Sequence, residues 1–188
     1  MTEIADRYRE LADAFEAKIT RVRPEQWTSR SPCDDWDARG VVGHVVEVHG
    51  MLLGTADRRL GPAPSVEDDP LGAFRSARAD IEKVLDDPAL AEREYDGVLG
   101  RTSVGRTIDE FLGFDLVVHG WDLARATGQD ETIEPAYVER VWTAAKGFDE
   151  NLRRPGVCGP EVPVPADASP QDRLLGLLGR DPAPSSRS

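Results

Sequence analysis

The chain has 188 residues, 39% of them hydrophobic, and a formal net charge of -12 at pH 7. That length and apolar content suit one bundle-sized hydrophobic core, and the acidic surplus disfavours a nucleic-acid partner, because a field of that sign repels phosphate backbones. No run approaches the roughly 18 apolar residues of a membrane span, and the start, MTEIADRYRELADAF, lacks the basic and apolar regions of an export signal. The expected location is the cytoplasm, with Cys33 and Cys158, neither in a CxxC, expected as free thiols.

The first helix is expected from about Thr2 to Val22, with Ile4, Tyr8, Leu11, Phe15 and Ile19 on one stripe. Pro24 follows its end. Cys33 sits in SPCDDW among Asp34, Asp35 and Asp37, whose charges disfavour a thiolate, so it is a weak candidate nucleophile. Asp37 is an expected N-cap of the second helix, and Trp36 before it can pack on Val41 as a hydrophobic staple. That helix carries Val41, Val42, Val45, Val46, Leu52 and Leu53, with His44 inside the apolar run. His49 lies five positions on, about 140° around the helix, and is expected to point elsewhere. Glu47 is expected at the surface.

Gly61 to Pro70 reads as a loop. A third helix is expected from about Leu71 to Asp86. Ala91 to Thr102 is ambiguous between a short hairpin, with Tyr95, Val98 and Leu99, and an irregular crossover. The fourth helix has the strongest pattern: it runs from near Ser103 to Thr127, with Gly128 as its stop. Glu134 and Pro135 open a fifth helix, with Val138, Val141, Trp142, Ala145, Phe148 and Leu152 on its apolar face. From Pro155 the chain is proline-rich. Ser169 then caps a short helix, QDRLLGLLG, and DPAPSSRS reads as a disordered end. The expected organisation is a helix bundle over residues 1–154 and a proline-rich tail over residues 155–188 whose short helix packs on it.

Within the fourth helix, Asp115 and His119 are four apart, one turn above each other on a face shared with Ile108, Phe111, Leu112, Val118, Leu123 and Ala126. A carboxylate and an imidazole in a core-facing stripe are costly to bury uncompensated. A divalent metal compensates both, and His44 can supply a third ligand from another helix. Each residue has an ordinary alternative: either histidine bonded to a carbonyl in the core, or Asp115 paired with an arginine. Two histidines and a carboxylate leave coordination positions open, the pattern of a catalytic rather than a structural metal. Zinc fits best, and nickel, manganese or iron also fit. Asp122, three residues after His119, either orients that imidazole or bonds the backbone or the Trp121–Arg125 region. Trp27, Trp36, Trp121 and Trp142 are expected as packing groups.

These segments resemble a known family. SPCDDWDARGVVGHVVEVHG, DLVVHGWDLARATGQ and the tail FDENLRRPGVCGPEVPVPADASPQDRLLGLLGRDP are similar to the DinB-like metal-binding proteins, and among them to the mycothiol-dependent maleylpyruvate isomerase N-terminal type. The most specific element is HGWDLARATG. The resemblance implies an all-α, DinB-like antiparallel four-helix bundle with a short extra C-terminal helix, and the metal ligands His44, Asp115 and His119. The isomerase pattern has glutamate where this chain has Asp115. Fuller isomerases carry an added C-terminal domain, whereas here the proline-rich tail follows the bundle.

The resemblance therefore implies a broad class. The implied class is a metal-dependent enzyme activating a low-molecular-weight thiol such as mycothiol, for transfer to or isomerisation of a small electrophile. The alternatives are a metal-dependent hydrolase that activates water, and a non-catalytic, stress-related metal-binding protein. Expected partners are the thiol and the electrophile, with no nucleic acid or membrane, in a monomer or homodimer.

Overall fold

A computed structural model describes residues 3–33, 36–97, 100–154 and 157–183. The chain is mainly helical and divides into two compact units, Met1–Glu131 and Thr132–Ser188. No described helix is long and apolar enough to cross a membrane.

Four long helices build the first unit: α1 (Glu3–Thr20), α2 (Ala38–Leu53), α3 (Pro70–Leu85) and α5 (Val104–Thr127), with the single-turn α4 (Pro88–Ala91) between the last two. Their ends follow local chemistry. The side chains of Asp37, Asp69, Asp87 and Ser103 each accept a backbone N–H of the first turn of α2, α3, α4 and α5. Gly128 ends α5 in the left-handed region at φ 67°, where a side chain would be strained. The expected boundaries of these helices are met within a few residues, although Thr2 lies outside the described residues.

α1 packs on α3 and α5, and α2 packs on the same two, so the four helices close a ring. Side-chain contacts fix the directions. Arg7 near the start of α1 grips Asp109 near the start of α5 with two N–H···O bonds of 2.8 and 2.9 Å. At the other end, Gln129 donates to the Lys18 carbonyl at 3.0 Å, so α1 and α5 run the same way. Arg9 meets Asp86, and Arg78 meets Asp13 and Glu16, so α3 runs opposite to α1. Tyr8 meets His49 near the end of α2, so α2 also runs opposite to α1. Parallel neighbours need a long return path. The Gly54–Asp69 connection supplies it for α2 and α3, since an extended chain of that length reaches well beyond the ~24 Å of a 16-residue helix.

The core is apolar and continuous. Tyr8, Leu11, Phe15 and Ile19 of α1, Val41, Val42 and Val45 of α2, Phe74 and Ile81 of α3, and Ile108, Leu112 and Leu123 of α5 are all buried. α5 is buried on nearly every side. The doubtful stretch before it forms a hairpin, β1 (Glu94–Gly97) antiparallel to β2 (Gly100–Ser103). Its expected members Val98 and Leu99 lie outside the described residues.

In the second unit, α6 (Pro135–Phe148) packs with α7 (Pro170–Leu177). Ser169 caps α7 as expected. The proline-rich segment is tied to α7: Val162 N–H donates to the Gly176 carbonyl at 2.9 Å, and the Arg153 guanidinium reaches the carbonyls of Gly159 and Leu177. The expected disordered end falls mostly on residues 184–188, outside the described residues.

Candidate metal centre

α2 and α5 cross with His44 facing Asp115. His44 Nε2 lies 3.2 Å from Asp115 Oδ1, and His119 Nε2 lies 3.4 Å from the same oxygen. The helical spacing of Asp115 and His119 puts them one above the other, and the packing of α2 against α5 adds His44. The structure thus brings all three expected ligands into one group, with donor atoms within 4.8 Å of one another. A tetrahedral ion with bonds of about 2.0–2.2 Å spaces its donors roughly 3.3–3.6 Å apart, close to the two separations from Asp115 Oδ1.

The second oxygen of Asp115 carries the fit further. Oδ2 is buried and has no hydrogen-bond partner among the described residues, a costly state for a carboxylate unless a cation faces it. Burial by itself favours the protonated carboxyl, but the charge and N–H of His119, helped by His44, outweigh it and hold Asp115 well below the usual carboxylate range.

His119 is fixed from its other side. Its Nδ1 is 2.8 Å from Asp122 Oδ2, and Asp122 is fully buried. An ionised carboxylate only accepts, so Nδ1 carries the hydrogen and Nε2 faces Asp115. A neutral His119 would turn a lone pair toward an anionic oxygen; a proton or a metal ion on Nε2 removes that repulsion. Burial lowers the basicity of His119, but Asp115 and Asp122 reverse this and raise it well above the ordinary value. Asp122 makes the hydrogen bond that the orienting role requires. Arg125 stacks over Trp121 at 4.6 Å and pairs with Glu131 at 2.7 Å.

Two residues are placed differently from expectation. Cys33 is half-buried beside this network, its thiol 3.3 Å from Asp122 Oδ2. It forms a second close group with His119 and Asp122, whereas the sequence marked it only as a poor nucleophile. Its acidic neighbours Asp34 and Asp35 lie outside the described residues. Trp36 was expected only to pack, yet its indole stacks on His44 with centroids 4.3 Å apart and meets His119 edge-on at 5.6 Å. The staple position before the helix was legible, but not that the ring would lie across a candidate ligand.

His49 points away as expected. It is fully buried, with Nδ1 donating to the Val45 carbonyl at 2.7 Å and Nε2 accepting from Tyr8 Oη at 3.0 Å. Burial lowers its pKa to about 4, so it is a neutral core group. The carbonyl-bonded core histidine that was an alternative for His44 is realised at His49. Glu47 is exposed. Cys33 and Cys158 are not joined in a disulfide.

Comparisons with known proteins show the family of the chain. A family model described as the mycothiol maleylpyruvate isomerase N-terminal domain matches residues 8–124, which include all of α2 and α3, Asp115, His119 and Asp122. Uncharacterized proteins of Mycobacterium tuberculosis strain CDC 1551 / Oshkosh and strain ATCC 25618 / H37Rv are each 30% identical over 170 residues, covering 89% of this chain and 92% of theirs. No solved structure gives a significant match. The chain belongs to the mycothiol maleylpyruvate isomerase N-terminal domain family.

Proposed function

We propose that the chain is a metal-dependent enzyme that activates a low-molecular-weight thiol, mycothiol in the first instance, for transfer to or isomerisation of a small electrophile. The observation that carries the reading is the convergence of His44 Nε2 and His119 Nε2 on Asp115, whose second oxygen is buried without a partner among the described residues. The family match supports the choice of thiol.

His44, Asp115 and His119 would hold a divalent ion, zinc first among the candidates. When bound, such an ion lowers the pKa of a ligating thiol so that it is a thiolate at neutral pH. The chain's own residues do the rest. Asp122 keeps the hydrogen on His119 Nδ1 and leaves Nε2 for the site. Asp115 offsets positive charge in a setting that α5 shields from water. His44, with 22% of its side chain exposed against 9% for His119, marks the solvent side from which a cosubstrate would approach.

The test is elemental analysis of untagged protein, wild type beside His119→Ala, followed by an electrophile screen with and without mycothiol. About one ion per chain in the wild type, lost in the variant, with turnover that requires the thiol, is the expected result. Turnover that persists without thiol would replace this reading with metal-assisted hydrolysis. No ion in either protein, even after added zinc or nickel, would remove the enzymatic reading.

A further inference from the structure

The two histidines of the site are held by different devices. His119 is fixed by a hydrogen bond from Nδ1 to Asp122. For His44, the one hydrogen bond among the described residues is from Nε2 to Asp115. One face of the ring is covered by Trp36, nearly parallel at 25°. The same indole touches the edge of His119, and the His44 and His119 rings meet at 4.6 Å and 69°, so three rings are in mutual contact. A half-exposed imidazole with one hydrogen bond keeps rotamer freedom that a stacked ring does not.

The local backbone is arranged to put the indole there. Trp36 N–H donates to the Cys33 carbonyl at 3.0 Å, and the Trp36 carbonyl accepts from Ser31 Oγ at 2.8 Å and Ser31 N–H at 3.2 Å. Both polar groups of its backbone are therefore held. Gly40 lies one turn before His44 on α2. A Cβ at Gly40 would come within 3.0 Å of Trp36 Cβ and 3.3 Å of its Cγ. The bare backbone at Gly40 lets the indole lie along the helix, with its far end over His44.

We propose that Trp36 is the positioning residue of His44: it selects the rotamer that directs Nε2 to Asp115, and Gly40 is the gap that admits it. The proposal rests on the reading of His44 as a metal ligand, so its test has a metal-free arm. Trp36→Ala, Trp36→Phe and Gly40→Ala are compared with wild type by Co2+ titration, followed through visible absorption. The same four proteins without metal are compared by NMR of the His44 ring protons, which a stacked indole shifts upfield.

Trp36→Ala is expected to weaken Co2+ binding by about 10- to 100-fold, the range found for lost outer supports of a ligand. Trp36→Phe should retain most of the affinity, because a ring still covers His44. Gly40→Ala should fall between them, although it touches no donor. Wild-type affinity in folded Trp36→Ala, or in Gly40→Ala with a displaced indole, would overturn the proposal. If the wild type binds no Co2+, the reading of His44 as a ligand fails, and the NMR arm decides the rest. An upfield-shifted His44 signal in one conformation, lost in Trp36→Ala and kept in Trp36→Phe, supports positioning; a signal indifferent to Trp36 overturns it. Should Trp36→Ala not fold, Trp36→Phe and Gly40→Ala give the same decision.

Discussion

Asp122 Oδ2 and His119 Nδ1 are 2.8 Å apart inside a single helix, with the carboxylate fully buried. A buried carboxylate that spends a strong hydrogen bond on the back of an imidazole fixes both its tautomer and its tilt. Asp122→Asn keeps the shape but removes the charge, and its amide can turn a donor toward Nδ1. Metal affinity is expected to fall about 10- to 100-fold. Competition with a chromophoric chelator measures it, and unchanged affinity would show that Asp122 serves only the fold.

Metal should stabilise the first unit through the same three residues. An ion present at a hundred times its dissociation constant adds about 2.7 kcal/mol. For a chain of this size that is a rise in Tm of roughly 5–10 °C. Scanning calorimetry should show the rise with zinc, its reversal by chelator, and its absence in His44→Ala. A rise of the same size in His44→Ala would mean that the ion binds elsewhere.

His49, which touches none of the three candidate ligands, gives a pH dependence of its own. Its pKa is lowered by burial from 6.5 to about 4, so between those values the unfolded chain holds a proton that the folded chain does not. Stability from this group is complete above about pH 6.5 and is lost as pH falls through about 4, for a total of about 3 kcal/mol. Denaturant unfolding from pH 7 to pH 4 should therefore fall more steeply in wild type than in His49→Gln. Equal slopes would show that His49 charges freely in the folded protein.

Arg7 and Asp109 tie the starts of α1 and α5 with two parallel bonds, and both side chains are largely buried, at 19% and 11% exposure. Asp109→Ala leaves the guanidinium without that acceptor and is expected to cost about 1–3 kcal/mol. Arg7→Lys should recover only part of the wild-type value, because an ammonium cannot reproduce the fork. Urea midpoints give both numbers; no change in Asp109→Ala would show that water replaces the carboxylate without loss.

The sequence by itself determined the helices, because capping residues, a terminal glycine and 3.6-residue stripes act within one or two turns. Asp37, Ser103 and Gly128 stand where the pattern placed them. It also determined the Asp115–His119 pair, since i and i+4 side chains are neighbours on any helix. The contact of His44 with that pair depends on how α2 and α5 cross, which no local spacing encodes. Helical spacing already turned His49 away from His44, and tertiary packing decided what each meets: Asp115 for the one, Tyr8 for the other. The stacking of Trp36 on His44 is local, admitted by the bare Gly40 one turn before that histidine. The nearness of Cys33 to Asp122, 89 positions away, was decided by tertiary packing, and arises from where the turn before α2 comes to rest against α5, a contact between segments distant in the chain.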